Sequence, residues 1–406
     1  MASQSQHFLT AIDVGSAKTC VLVAEVTSSG LRYRGHGVTE SRGSRKGIIV
    51  ELDKAVASIQ KAVEQAEDAC GFPIEHALLG VSGAHVRGVN SQGGLSFGTR
   101  AREISREEIR SAVEKAKAVP LPEDRQILHL LPQEFIIDDD RGVRDPLGMM
   151  AVRVEVRVHL VTAASSATQN VITAVNRAGV HVDDTVFEPL ACADAVLRAD
   201  ERELGVCLAD MGAGSTSLIV FQEGAVLHSA VIPIGGDHFT SDLSVGLCTP
   251  LSEAEKIKKL YGNVAVTLIP EANEVEVPSV GDRASRLVKQ RMVGDILEPR
   301  ARELFEMVRD NLRHNGMLSV CAGGVVLSGG TSRTAGILDV AESVLRRPVR
   351  LSWPTPLAKM PSTLAEPDYA TVIGMAFYGH RARTARGAQD TRWSSRLKGL
   401  FMKMGA

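Results

Sequence analysis

A short strand–turn–strand pattern occurs twice in this chain and constrains the fold more than any other feature. The first copy, AIDVGSAKT, covers residues 11–19, and the second, LADMGAGST, covers residues 208–216. Asp13 of the first copy aligns with Asp210 of the second, and Gly15 aligns with Gly212. In both copies an apolar run leads into the aspartate and a β-rich run follows the turn, which is typical of a β-hairpin. The repeat predicts two similar halves that each present one turn.

The two turns together suit a metal–phosphate group. Backbone N–H groups in such turns form concave anion sites, and small residues let a phosphate approach closely. Two aspartates from opposite halves can hold a hydrated Mg²⁺ between them, because Mg²⁺ prefers oxygen ligands and keeps several waters. The first copy fits neither the P-loop nor the Rossmann fingerprint, since it lacks their glycine spacing. An ordinary β-turn is the alternative for either copy alone.

A third glycine turn lies in GGVVLSGGTS, residues 323–332. An apolar strand, Val325 to Leu327, leads into it, and the pattern predicts a helix from about Thr334 to Leu345. A Gly-Gly turn between strand and helix lets backbone pack flat against a ribose or base, and a helix N-terminus favours negative charge.

Composition sets outer limits on the function. A chain of 406 residues is expected to hold two or more domains. Its six cysteines are scattered singly with no CxxC pair, which predicts neither a zinc site nor a disulfide framework and fits a reducing cytosol. Neither a signal peptide nor an apolar stretch of transmembrane length is visible. The last part of the chain, from residue 380, carries seven Lys or Arg and one acidic residue, which indicates an anionic surface as its partner.

The three turns, in this order, resemble the phosphate-1, phosphate-2 and adenosine motifs of the actin, Hsp70 and sugar-kinase superfamily. Within it the chain resembles the FtsA family of actin-like bacterial cell-division proteins over nearly its whole length. The other matching stretches are residues 44–67, 188–197, 231–247, 252–262, 296–308 and the C-terminal tail. The PIGG sequence within 231–247 and the tail separate this family most clearly from other actin-like proteins.

The resemblance implies an α/β fold: an actin-like two-lobed ATPase with an inserted small α+β subdomain and a C-terminal amphipathic helix. The implied segments are 1–83, 163–192 and 359–379 for the first lobe, 84–162 for the inserted subdomain, 193–358 for the second lobe, 380–391 for a flexible linker and 392–406 for a membrane-targeting helix. The sequence of the inserted block predicts a helix from Arg106 to Ala118 with a capping box at Ser105 and Glu108. It also predicts strands over Gln133–Ile137 and Ala151–Val161 around a polar hairpin tip, DDDRGVRD. The alternative is that this block is an ordinary surface insertion with no binding role.

The resemblance also assigns site residues for ATP and Mg²⁺. Asp13 and Asp210 would hold Mg²⁺ through water, and Glu188 would orient the attacking water. The implied phosphate and adenosine residues are Gly15, Ser16, Lys18, Gly212, Gly214, Ser215, Thr216, Glu255, Lys258, Gly329, Gly330 and Thr331. The alternatives are a solvated surface lysine for Lys18, a helix-start carboxylate for Glu188, and an exposed helix pair for Glu255 and Lys258.

Three further regions are expected to bind partners. The resemblance places docking of the FtsZ C-terminal peptide on the helix Arg291–Leu312, where Arg300 sits at a matching position, and a solvated arginine is the alternative. It assigns self-association and contacts to later cell-division membrane proteins to the inserted subdomain. In the tail, Trp393, Leu397, Leu400 and Phe401 fall on one helical face with cations at its edges, which predicts an anionic lipid membrane as partner. A helix docked on the protein body is the alternative.

The expected function is an ATP-binding adaptor that polymerises at the inner face of the cytoplasmic membrane, at the division site, as a peripheral protein that tethers FtsZ filaments. It would be at most a slow ATPase, and no nucleic acid is expected as partner. A small-molecule kinase of the same superfamily is a second hypothesis, but no candidate catalytic base between the lobes is visible. An actin-like pilus-assembly ATPase is a third, and the tail argues against it.

Overall fold

The computed structural model describes residues 7–281 and 283–390, the last five of these by their backbone alone. Up to the end of the inserted subdomain the elements are β1 Phe8–Val14, β2 Lys18–Thr27, β3 Gly30–Glu40, β4 Ser44–Arg45, β5 Ile48–Ile49, α1 Leu52–Cys70, β6 His76–Val81, β7 Arg87–Ser96, β8 Arg102–Glu103, α2 Arg106–Lys117, β9 Arg125–Ile137, β10 Asp140–Val143, β11 Met150–Ala151 and β12 Arg153–Ala164. The next elements are α3 Ser165–Arg177, β13 His181–Phe187, α4 Glu188–Val196, α5 Ala199–Leu204, β14 Val206–Met211, β15 Thr216–Gln222, β16 Ala225–Ile232, α6 Gly236–Gly246 and α7 Leu251–Tyr261. The last elements are β17 Glu274–Val277, β18 Arg286–Lys289, α8 Gln290–His314, β19 Val325–Ser328, α9 Ile337–Leu345, β20 Val349–Leu351 and α10 Ala370–Asp390.

Two five-stranded sheets have the same strand order and form the two lobes. The first runs β3–β2–β1–β6–β13 and the second β16–β15–β14–β19–β20. In each sheet the hairpin strands are antiparallel and the next two strands are parallel to the first hairpin strand. The two similar halves predicted from the repeated turn are confirmed.

The strands of the first sheet are apolar on both faces, so helices cover both faces of this sheet. In the first lobe the middle of β1 and all but the ends of β2 are buried. Helix α1 covers one face of this sheet with a stripe of small and branched residues that includes Ile59, Ala62 and Val63. Helices α4 and α10 cover the other face, and α4 is buried along most of its length because it lies between the lobes.

The inserted subdomain is a separate four-stranded sheet, β10–β9–β12–β7, with α2 packed on one face. The predicted capping box is present, since the backbone N–H of Ser105 donates to Glu108 Oε2 at 2.9 Å. The predicted strands fall within β9 and across β11 and β12, with a break at Val152. The polar tip is narrower than predicted, because the chain reverses at Asp138, where φ is +55°, and β10 begins at Asp140.

The inserted subdomain also contacts the second lobe through polar side chains. Asn90 Nδ2 donates to the Leu227 carbonyl at 3.0 Å, and Gln133 Nε2 donates to the Val226 carbonyl at 2.9 Å. His159 Nε2 lies 2.8 Å from Ser229 Oγ on β16. Burial, with a smaller effect of His228, lowers the pKa of His159 to about 3, so this ring is neutral at physiological pH. A subdomain inserted in the first lobe is therefore held by both lobes.

A flexible linker over residues 380–391 was expected, and the structure instead continues α10 to Asp390. Arg381 pairs with Asp194 at 2.7 Å, Arg383 donates to the Phe8 carbonyl at 2.5 Å, and Ala385 is buried. The polar composition was misleading because arginine and alanine are strong helix formers, and these arginines anchor the helix to the body. Trp393, Leu397, Leu400 and Phe401, and with them the predicted amphipathic helix, lie outside the described residues. None of the helices within the described part of the chain has the length and apolarity to cross a bilayer.

Candidate functional site

The two repeated turns have the same local geometry. Asp13 is the next-to-last residue of β1 and Asp210 the next-to-last residue of β14. After each aspartate a four-residue turn is closed by the glycine: Gly15 N donates to the Lys18 carbonyl at 3.1 Å, and Gly212 N donates to the Ser215 carbonyl at 2.9 Å. The repeated sequence therefore produces a repeated turn, with one carboxyl group at the base of each.

The turns face each other across a narrow cleft between the lobes. A Cβ atom on Gly214 would lie 2.7 Å from Ser16 Oγ and 2.8 Å from Lys46 Cα, so this position has no room for a side chain. Ser82 Oγ and Ser217 Oγ form a hydrogen bond of 2.9 Å from one lobe to the other. Among the residues assigned from the resemblance, those that line this cavity are Gly15, Ser16, Glu188, Asp210, Gly212, Gly214 and Ser215. Thr216 is buried instead, and its hydroxyl donates to the Ile234 carbonyl at 2.8 Å.

Three carboxyl groups converge at the cleft, and their environment disfavours negative charge. Burial raises the pKa of Asp13 to about 7, against an opposing effect of Lys18 and with a further rise caused by Asp210. Burial raises the pKa of Asp210 to about 6, although a hydrogen bond from Thr371 and the charge of Lys18 oppose it. Burial and the charges of both aspartates raise the pKa of Glu188 well above its ordinary value. These carboxyl groups are costly to ionise when no cation is present. A divalent cation suits the arrangement, because its positive charge favours the ionised carboxylates.

Glu188 is both a helix-start residue and a residue of the cavity. It is the first residue of α4 and precedes Pro189, as a helix-start carboxylate does. It also lines the cavity, and a Cβ atom on Gly80 would lie 3.0 Å from its Oε1 atom. The helix start therefore places this carboxyl group at the cleft, in electrostatic contact with both aspartates.

Lys18 is not a solvated surface lysine. Its Nζ atom lies 3.0 Å from Asp368 Oδ2 and 3.6 Å from the centre of the Tyr369 ring, and its side chain is 25% exposed. Arg333 Nη1 donates to the other oxygen of Asp368 at 3.3 Å. Sequence reasoning missed Asp368 and Tyr369, which carry no motif and join the site only through the fold.

The third turn closes against the second. Gly329 has φ of +79°, and a Cβ atom there would lie 2.5 Å from the Met211 carbonyl oxygen and 2.6 Å from Asp210 Oδ1. Thr331 Oγ1 donates to the Gly212 carbonyl at 2.9 Å. The helix predicted from about Thr334 is wrong at its start: a 3₁₀ turn, Gly330–Arg333, follows β19, and α9 begins at Ile337. Gly336 is in the left-handed region, at φ +75°, and this conformation delays the helix.

Glu255 and Lys258 form a partly buried pair beside the third turn. Lys258 Nζ lies 2.6 Å from Glu255 Oε2 and donates to the Gly236 carbonyl at 3.0 Å, and its side chain is only 13% exposed. A Cβ atom on Gly236 would lie 2.6 Å from Thr331 Oγ1. The pair therefore lies beside the third turn, and Gly235–Gly236 of the PIGG sequence, to which sequence reasoning gave no role, packs closely against the second and third turns.

Arg300 lies on α8, where its guanidinium forms a two-pronged ion pair. Its Nε atom is 2.6 Å from Asp242 Oδ2 and its Nη2 atom is 3.0 Å from Asp242 Oδ1. Glu303, one turn further along α8, also contacts it. Its side chain remains 26% exposed, so this residue is partly engaged by its own chain and partly available to a partner.

Comparison with known proteins decides the family. A family model described as cell division protein FtsA matches residues 207–374, and a model described as the SHS2 domain inserted in FTSA matches residues 83–162. Cell division protein FtsA of Pseudomonas aeruginosa is 42% identical over 93% of this chain and 91% of its own length. The chain belongs to the FtsA family. The Escherichia coli K12 member is 34% identical over 98% of this chain and 96% of its own length, and the family resemblance seen in the sequence is confirmed over nearly the whole chain. The protein is an actin-like cell-division protein.

Solved structures confirm the actin-like fold. The PilM–PilN type IV pilus biogenesis complex superimposes with a TM-score of 0.66 at 18% identity, over 91% of this chain and 98% of that chain. MreB5 of Spiroplasma citri bound to ADP gives a TM-score of 0.58 at 11% identity, over 96% of this chain and 100% of that chain. At these identities the similarity concerns the fold alone.

Proposed function

We propose that this protein binds Mg-ATP between its lobes, polymerises at the inner face of the cytoplasmic membrane at the division site, and tethers FtsZ filaments to that membrane through a C-terminal amphipathic helix. The observation that carries the proposal is the pair of matching turns with Asp13 and Asp210, set in a chain that belongs to the FtsA family. The fold neighbour MreB5, which was solved with ADP, supports nucleotide binding in a cleft of this kind.

Each group in the cleft has a defined task in this proposal. The backbone N–H groups of the two turns donate to phosphate oxygens. Asp13 and Asp210 orient the water ligands of Mg²⁺, and the ion balances the phosphate charge when it is bound. Glu188 orients a water near the last phosphate, and the raised pKa of its carboxyl group suits a group that accepts a proton. The hydrolysis that results is slow or incidental to assembly.

The nucleotide part is tested by titrating Mg-ATP into variants of the full chain. Asp13→Ala and Asp210→Ala should each weaken binding strongly, and their effects should be non-additive because both residues serve one ion. Asp68→Ala is the matched control, since this aspartate is exposed on α1. Normal Mg-ATP affinity in either cleft variant would contradict a shared ion.

The membrane part rests on the sequence of residues 393–404. Five apolar side chains, each contributing about 1 kcal/mol when partly buried, give about 5 kcal/mol. Three or four cations near anionic lipid add about 1 kcal/mol each. Ordering the helix offsets much of this gain, so one tail binds reversibly. Tails arranged along a polymer share one surface, so polymerisation and membrane binding reinforce each other.

Vesicle flotation tests the tail with two glutamate variants that add the same charge. Phe401→Glu places the charge within the apolar face, and Ser395→Glu places it on the opposite side of a helical projection. Phe401→Glu should release the protein from phosphatidylglycerol-containing vesicles, whereas Ser395→Glu should float nearly as well as the wild type. An unrelated amphipathic helix joined after Asp390, the last residue that the structure describes, should restore flotation. Equal flotation of the two glutamate variants would refute the tail as anchor.

The FtsZ contact is proposed at Arg300 on α8. Because the guanidinium is partly exposed, a carboxylate of the FtsZ C-terminal peptide can join or replace its pairing with Asp242. Arg300→Ala should lower the affinity for that peptide at least tenfold in fluorescence anisotropy. Arg302→Ala is the control, because Arg302 is on the same helix and pairs only with Glu298 among the described residues. Equal losses in both variants would indicate a general charge effect and not a docking contact.

The inserted subdomain is proposed to supply the self-association surface and the contacts to later cell-division membrane proteins. Leu147, Met149 and Met150 are exposed on it, and apolar side chains of this kind favour protein partners. Met150→Glu should reduce polymer mass in sedimentation with ATP on lipid, while Mg-ATP affinity remains unchanged. Normal sedimentation of this variant would place self-association elsewhere.

A further inference from the structure

Two histidines lie side by side at the edge of the first lobe, away from the cleft. His76 is the first residue of β6 and His181 the first residue of β13, and the register of these parallel strands pairs them directly. Their ring centres are 5.3 Å apart, with the ring planes at 83° to each other. Residues paired in this way project from the same face of a sheet, so the backbone itself brings the two imidazoles together.

Asp183 completes a cluster of three ligands. Its Oδ1 atom lies 2.7 Å from His76 Nδ1, and one ligand atom from each of the three residues lies within 4.8 Å of the others. Asp183 is the extra residue of a bulge in β13, since Val182 pairs with Ala77 and Asp184 with the next residue of β6. A bulge re-aims a side chain, and here the re-aimed carboxylate contacts the histidine of the neighbouring strand.

An ion pair between His76 and Asp183 does not explain the second histidine. Both partners are exposed, His76 by 45% and Asp183 by 43% of their side chains, and such pairs contribute little to stability. Within the described residues, neither ring nitrogen of His181 has a hydrogen bond, so both are available as ligands. The arrangement has more ligand atoms than an ion pair requires.

We infer that His76, His181 and Asp183 form a site for a transition-metal dication of the Zn²⁺ or Ni²⁺ class. Two imidazole nitrogens and one carboxylate oxygen are a ligand set that these ions prefer. Ligand atoms around tetrahedral zinc are about 3.3 Å apart, so exposed side chains need only small rotations to reach this geometry. Mg²⁺ and Ca²⁺ favour oxygen ligands and should not bind here. The remaining positions of the ion are open to water.

The site joins two strands that both lead to the cleft. Strand β6 ends at Val81, directly before Ser82, and β13 ends at Phe187, directly before Glu188. Since β13 is the edge strand of its sheet, a bound ion ties that edge to the next strand at the end opposite the cleft. Metal binding should therefore raise the thermal stability of the protein by several degrees when the ion is in large excess over its dissociation constant.

Calorimetric titration of ZnCl₂ and of NiCl₂ into the tag-free full chain tests the inference. All proteins carry Cys248→Ser, because Cys248 is an exposed thiol and thiolates are zinc ligands, and millimolar Mg²⁺ is present to occupy the cleft. We expect one site with micromolar affinity and a rise in Tm that EDTA reverses. His76→Ala and His181→Ala should each weaken binding at least tenfold, and Asp183→His should strengthen it, because a third imidazole replaces the carboxylate.

The control is His314→Ala, which removes an exposed histidine at the end of α8 and should bind the ions like the wild type. Since the three ligands are exposed, their variants should melt at the wild-type temperature in EDTA, and this measurement separates loss of the site from loss of the fold. Zinc and nickel binding that survives in the His76→Ala, His181→Ala double variant would overturn the inference. So would the absence of binding to the wild type at submillimolar ion concentration.

Discussion

Replacement of Asp13 by asparagine should stabilise the protein when metal ion and nucleotide are absent. Burial raises the pKa of this carboxyl group to about 7, so at pH 8 the folded protein must hold a charge that its surroundings disfavour. Asparagine has nearly the same shape and no charge, and it removes that cost. The same substitution should abolish tight Mg-ATP binding, because an amide is a poor partner for hydrated Mg²⁺. Stability and function should therefore change in opposite directions.

The raised pKa of Asp13 sets an upper limit on the unfolding free energy that Asp13→Asn can add. A pKa that rises from 3.8 to about 7 corresponds to roughly 4 kcal/mol of unfolding free energy at a pH well above 7. Asp13 is only partly buried, so water screens part of its charge, and we expect about 1–2 kcal/mol at pH 8. Because the folded-state pKa of Asp13 lies above its unfolded value, the wild type bears no charge cost at this residue below about pH 4, and its unfolding free energy falls as the pH rises through 7. The wild type should thus lose stability between pH 5 and pH 8.

Urea unfolding in EDTA at pH 5, 6.5 and 8 measures this effect. Asp13→Asn should show a flatter dependence on pH than the wild type and a higher midpoint at pH 8, and added Mg²⁺ should stabilise only the wild type. Asp68→Asn, which changes an exposed carboxylate of α1, should follow the wild type. The reasoning is refuted if Asp13→Asn is less stable than the wild type at pH 8 with an unchanged slope.

Three further substitutions probe the cleft and its surroundings. Glu188→Gln should lower phosphate release at unchanged Mg-ATP affinity, and it should raise the apo-protein Tm at pH 8 for the same electrostatic reason as Asp13→Asn. Gly329→Ala should lower the Tm and weaken ATP binding at least tenfold by calorimetry, because its Cβ atom would lie 2.6 Å from Asp210 Oδ1. His159→Leu should cost about 1–3 kcal/mol of unfolding free energy by leaving the buried hydroxyl of Ser229 unpaired, and hydrogen exchange should increase first in β7 and β16.

The parts of the site that sequence reasoning found are local in the chain. Residues 11–19 and 208–216 each contain a strand end, a carboxylate and a glycine turn, and a nine-residue window is enough to predict that geometry. The capping box before α2 is local in the same way. The start of α9 was missed because one left-handed glycine, Gly336, decides it, and apolar periodicity does not report backbone handedness.

The missed parts depend on contacts between distant residues. Lys18 and Asp368 meet although 350 positions separate them, and nothing in the turn around Asp368 marks it as a partner. The bond between Ser82 and Ser217 depends on closure of the two lobes. The linker was misread for a related reason: a polar segment without large apolar residues is helical here because its arginines find partners elsewhere on the body.

The contacts of the inserted subdomain link the cleft to a distant surface. The subdomain is covalently part of the first lobe, and His159 joins it to Ser229 on the edge strand β16 of the second lobe. Strand β16 continues into Gly235–Gly236, which packs against the second and third turns of the cleft. A rotation of one lobe against the other must therefore either break the bonds to β16 or carry the inserted subdomain along.

If His159→Leu loosens this connection, the proposed self-association should respond less to ATP, while Mg-ATP affinity remains that of the wild type. Unchanged ATP dependence of sedimentation in this variant would show that the two surfaces are not coupled through β16.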